Sequence, residues 1–146
     1  MAIRNLTNWN DPIFRKKSRP VEKFDGRLWE ILDDMRDTLR KVNGYGCAGV
    51  HVGVLRRAVV ILDKGGIIEL VNPEITESSA ETQSVLEGSI APDSPRGYVT
   101  RPKRVAVKAL DRHGNEVVVN AEGFLAAALC HEIDHLDGVM FIDHAA

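Results

Sequence analysis

His131-Glu132-Ile133-Asp134-His135 is the stretch whose reading decides this chain. Its two histidines stand four residues apart, so on an α-helix both imidazoles share one face and reach one metal ion. Glu132 lies between them, placed to act as a general base toward an attacking water. Ala126 to Leu129 precede the motif and Asp137-Gly138 follows it, so Gly123 to Leu136 reads as the helix that carries it. Zinc and iron both bind imidazole well. The plain alternative is a pair of part-buried histidines that only pack and hydrogen-bond. Asp134 turns away from the line joining His131 and His135 and reads as a supporting partner, not a ligand.

Outward from the motif, the chain alternates between helical and strand patterns. Asp25 is a natural N-cap, and Leu28, Ile31, Leu32, Met35, Leu39 and Val42 recur at helical spacing. Asp33, Asp34, Arg36, Asp37, Arg40 and Lys41 then face away, and Asn43-Gly44 ends the helix. Ala58 to Leu62 is a short apolar run, and Lys64-Gly65-Gly66 reads as a hairpin turn into Ile67 to Val71. Arg104 to Leu110 and Glu116 to Asn120 flank a second turn at Arg112-His113-Gly114-Asn115. Asp11-Pro12 and Arg19-Pro20 punctuate an extended N-terminal arm. A helix, a run of antiparallel strands and a second helix make an α+β pattern.

Composition narrows the partners. A chain of 146 residues, 44% hydrophobic and 27% charged, suits a single domain over 1–146. A net charge of −2 argues against nucleic acid or an anionic membrane as the main partner. No apolar run approaches the roughly 20 residues that span a bilayer. Met1 to Asn10 lacks the apolar core of a secretory signal. Cys47 and Cys130 carry no sign of an oxidising compartment, so a cytoplasmic protein with reduced thiols is expected.

Three motifs in order extend the reading. They are Gly44-Tyr45-Gly46-Cys47-Ala48-Gly49-Val50-His51, Glu87-Gly88-Ser89-Ile90-Ala91 and His131-Glu132-Ile133-Asp134-His135. In order and spacing they resemble the peptide deformylases, whose motifs are Gly-x-Gly-x-Ala-Ala-x-Gln, Glu-Gly-Cys-x-Ser and His-Glu-x-x-His. Asp11-Pro12, Asn72-Pro73-Glu74-Ile75, Arg96-Gly97 and Leu136-Asp137-Gly138 resemble the family's flanks. The resemblance implies a deformylase-like α+β fold, with antiparallel sheets around a central helix that carries the metal motif. It implies a hydrolase with one divalent transition metal, Fe2+ or Zn2+, with Ni2+ or Co2+ as replacements. Its substrate is an N-formylmethionyl peptide. In that family two histidines and a cysteine hold the metal, the helix glutamate handles protons, and the motif glutamine with a backbone N–H stabilises the oxyanion.

Set against that pattern, Ser89 stands where the ligand cysteine is expected and His51 where the glutamine is expected. Serine is a shorter, harder donor that stays protonated at neutral pH. Three readings stay open. His51 becomes the third ligand of a three-histidine site beside His131 and His135. Alternatively, Ser89 or water takes the third place while His51 donates a hydrogen bond. In the last, the site is degenerate and the cleft binds a peptide or another partner without catalysis. The leading expectation is a metal-dependent amide hydrolase acting on N-formyl peptides or a small N-formyl compound. In it Glu132 moves the proton, the Ile90 backbone N–H meets the oxyanion, and Gly46, Gly88 and Arg96 line the substrate. Cys47 reads as a small buried apolar residue, and His113 and His144 as surface residues.

Overall fold

The computed structural model describes residues 2–64 and 66–144. Helix α1 spans Gly26–Lys41 and helix α2 spans Phe124–Leu136. Between them run strands β1 (Gly46–Ala48), β2 (Ala58–Asp63), β3 (Gly66–Ser78), β4 (Thr82–Gly88), β5 (Arg96–Pro102), β6 (Arg104–Leu110) and β7 (Glu116–Glu122). All the pairings between these strands are antiparallel. Five strands form one sheet in the order β1-β2-β3-β6-β7, and β4 pairs with β5 in a separate two-stranded sheet. The α+β expectation therefore holds.

Strand β2 explains the layering. Val59 and Ile61 pack into the apolar cluster around α2, whereas Ala58 and Val60 pack into the cluster under α1. A strand covered on both faces needs an unbroken apolar run, which is what 58–62 supplies. Leu28, Leu32, Met35 and Leu39 form the buried stripe of α1. Helix α2 is buried nearly all round, from Ala126 to Leu136, and its three successive alanines fit it closely into the interior. A motif on such a helix is withdrawn from water before any ligand is considered.

Some details depart from the sequence reading. Asp34 does not face solvent: it lies buried under the N-terminal arm, accepting from Arg4 Nε at 2.8 Å. Val42 is the exposed C-cap of α1 and not part of its buried stripe. Asn43 takes the left-handed conformation that ends α1, with φ 53°. Gly44 is required by close approach instead, since a Cβ there would lie 2.5 Å from Ile90 Cγ2. Strand β3 runs on through Asn72-Pro73 to Ser78, with irregular register against β6 at Val71/Glu74 and Ile75/Glu77. Asp63 pairs with Gly66 at the predicted β2–β3 turn, whose Gly65 lies outside the described residues. Strands β1, β4 and β5 were not anticipated. Among the described residues, no helix is long and apolar enough to cross a membrane.

Candidate metal centre

Three segments converge on one buried point. Helix α2 contributes His131, Glu132 and His135. A 3-10 turn at Gly49–Val52 contributes His51, and the chain leaving β4 contributes Ser89 and Ile90. The three histidines and Glu132 are each at most 2% exposed. The His135 ring centroid lies 4.7 Å from that of His51 and 5.0 Å from that of His131. One ligand atom each from His51, Glu132 and His135 lies within 4.8 Å of the others.

Side-chain hydrogen bonding around this point is incomplete in a telling way. His131 Nε2, Glu132 Oε1 and both ring nitrogens of His135 are buried without a partner. Each such atom costs about 1–3 kcal/mol if left bare. Imidazole lone pairs and a carboxylate oxygen gathered here form a set that a divalent transition metal fits.

His131 is anchored through one of its ring nitrogens. Its Nδ1–H donates to Glu87 Oε1 at 2.7 Å, so in the neutral ring the buried, unpartnered Nε2 carries the lone pair. Glu87 in turn accepts from Arg101 Nε and Nη2 at 2.8 and 2.9 Å, and Arg101 Nη1 donates to Asp134 at 2.7 Å. Burial would raise the Glu87 carboxyl, but the bonds from Arg101 and His131 outweigh it and lower it to about 2. Burial also depresses His131, yet Glu132 and Glu87 more than offset this and raise it. Glu132 has no such clamp. Burial pushes its carboxyl up to about 7, a range suited to both taking and giving a proton. Burial and the neighbouring histidines hold His135 well below its usual value, so its nitrogens stay available as neutral donors to a metal.

His51 and Ser89 are committed to each other. The Ala48 N–H donates to His51 Nδ1 at 3.0 Å. In a neutral imidazole the other nitrogen then carries the proton, so His51 Nε2–H donates to Ser89 Oγ, also at 3.0 Å. Burial lowers His51 to about 3, which keeps the ring neutral. Proximity thus groups His51 with Glu132 and His135, while its hydrogen bonds engage both ring nitrogens. The bonds are the stronger argument, because ligation by His51 requires breaking one of them.

The remaining residues frame the cleft. A Cβ at Gly46 would meet Glu132 Oε2 at 2.6 Å, so the glycine is what leaves room for the carboxylate. The Tyr45 hydroxyl donates to the Gly88 carbonyl at 3.3 Å, and the ring packs edge-on to Phe124. Among the described residues the Ile90 N–H has no hydrogen-bond partner. Arg96 lies exposed on β5 opposite Gly88. Asp134 serves as the expected supporting residue through Arg101. Cys47 is fully buried and its thiol is pushed well up, as an apolar filler. The role of Glu87 and the whole contribution of Arg101 escaped the sequence reading. The Glu87–His131 contact joins residues 44 apart, which no local spacing reveals.

Comparisons with known proteins bear on this arrangement. A family model described as polypeptide deformylase matches residues 3–146. A peptide deformylase of Caldicellulosiruptor bescii is 54% identical, over 98% of this chain and 86% of its own length. Peptide deformylase 2 of Clostridium acetobutylicum is 47% identical, over 98% of this chain and 95% of its own. The crystal structure of peptide deformylase from Thermotoga maritima superposes with a TM-score of 0.96 at 33% identity, covering 100% of this chain and 99% of that one. With that match over nearly its full length, the chain belongs to the polypeptide deformylase family.

Proposed function

We propose that the chain is a metal-dependent amide hydrolase that removes the formyl group from N-formylmethionyl peptides. One observation carries the reading: His131, Glu132 and His135 keep buried polar atoms without a partner, on neighbouring side chains of one helix. A metal-free binding module has no use for such a cluster. A relative from Ehrlichia chaffeensis, 34% identical, has been crystallised with actinonin, which agrees with a ligand-accepting cleft in this fold.

His131 and His135 hold the metal, with Glu87 keeping the His131 ring in the ligating tautomer. When bound, a divalent transition metal of the Fe2+ or Zn2+ type supplies Lewis acidity toward the formyl carbonyl and makes water more acidic. Glu132 takes a proton from the attacking water and passes it to the departing amine nitrogen. The free Ile90 N–H donates to the carbonyl oxygen as charge develops on it. Arg96 and the backbone at Gly46 and Gly88 border the peptide. The hydrogen bonds of His51 favour its reading as a donor over that of third ligand.

Metal analysis of freshly purified, anaerobically handled protein tests this. A single metal per chain, lost in His131→Ala and His135→Ala and retained in His51→Ala, is expected. A parent protein that takes up no metal after reconstitution would contradict the proposal.

A further inference from the structure

The Ser89 hydroxyl has an unspent hydrogen. A serine hydroxyl offers one donor and two acceptor sites. Ser89 Oγ accepts from His51 Nε2–H at 3.0 Å and from the Ala91 N–H at 3.1 Å. Both acceptor sites are filled. Among the described residues nothing accepts its hydrogen. The oxygen therefore has no lone pair left for a cation, and its remaining capacity is to donate.

The placement of this donor is firm. Ala48 N–H fixes the His51 tautomer, so the imidazole can only give to Ser89 and not take from it. That also removes Ser89 as a nucleophile, since no base is positioned to receive its proton. The Ser89 N–H is tied to Ser94 Oγ at 3.0 Å, and the Ser94 hydroxyl is tied to the Pro95 carbonyl at 2.9 Å. The unpartnered Ile90 N–H follows directly along the chain. Two donors without acceptors thus occur side by side next to the buried histidine cluster. An oxygen that gains negative charge is the group that such a pair accommodates.

We propose that Ser89 is a catalytic residue whose hydroxyl donates to the substrate's developing oxyanion, and that His51 is the positioning residue that aims it. This rests on the hydrolase reading above. It assigns neither residue to the metal.

Two measurements on Co2+-loaded protein test it. The first is turnover of formyl-Met-Ala-Ser. Ser89→Ala is expected to lower kcat by about 10²–10³ with KM and metal content little changed. Ser89→Thr, which keeps the hydroxyl, is expected to retain most of kcat. His51→Ala is expected to lower kcat, and Ser89→Ala in that background to lower it little further. The second is calorimetric titration with sodium formate, an oxyanion whose binding needs no turnover. Ser89→Ala is expected to weaken formate binding about tenfold or more. Loss of metal in Ser89→Ala would overturn the proposal by making Ser89 a ligand. So would unchanged kcat or unchanged formate affinity in that variant. A parent protein that fails to turn over formyl-Met-Ala-Ser defeats the hydrolase reading alone, and the formate titration still decides the role of Ser89.

Discussion

Glu132 is one residue along from His131, and their ionisation is set in opposite ways. Glu87 anchors the His131 ring by a hydrogen bond, whereas Glu132 Oε1 has no partner and burial outweighs the pull of His131 and Arg101. A carboxyl raised from 4.5 to about 7 favours the folded state while protonated, and that advantage disappears as pH rises through 7. In metal-free protein, Glu132→Gln should therefore match the parent in stability below pH 4.5. It should gain progressively above it, reaching about 3 kcal/mol by pH 8. Urea denaturation at several pH values measures this, and a pH-independent difference would count against the buried carboxyl. With metal restored, the same variant should keep its metal and lose about 10²–10⁴ in kcat. Glu87→Gln should instead weaken metal binding by about 10–100-fold, read by competition with a chelator, because the His131 ring loses its anchor.

At the scale of elements, the site depends on how closely β1 and the β4 terminus approach α2. Gly46→Ala places a methyl group where Glu132 Oε2 lies. The variant should stay folded, with about 1–3 kcal/mol of destabilisation, while its kcat falls more than its melting temperature suggests. Elements with strong periodicity were legible in the sequence. The apolar stripe of α1, the two-faced run of β2 and the motif on α2 repeat at intervals that a linear reading detects. Strands β4 and β5 were not, because most of their residues are exposed or half-buried at the rim and leave no apolar alternation. Asp34 was misread for a related reason. Its neighbour is Arg4 on the N-terminal arm, and helical spacing says nothing about what folds over the helix. Likewise, the positions of His51 and Ser89 were legible as a pair, but their mutual bond depends on Ala48 N–H fixing a tautomer.

For the whole molecule, buried polar atoms without hydrogen-bond partners carry a cost that a bound metal offsets. Binding at 100 times the dissociation constant adds about 2.7 kcal/mol. For a chain of this length, Co2+ or Zn2+ should raise the melting temperature by roughly 5–10 °C. His131→Ala and His135→Ala should abolish that rise, and an equal rise in these variants would place the metal elsewhere. The most direct test of the central claim is formate release from formyl-Met-Ala-Ser by anaerobically purified protein, before and after chelation and again after Fe2+ or Co2+ is restored. The account predicts release that stops on chelation and returns with metal. No release at saturating metal, from protein that is folded and metal-loaded, would contradict it.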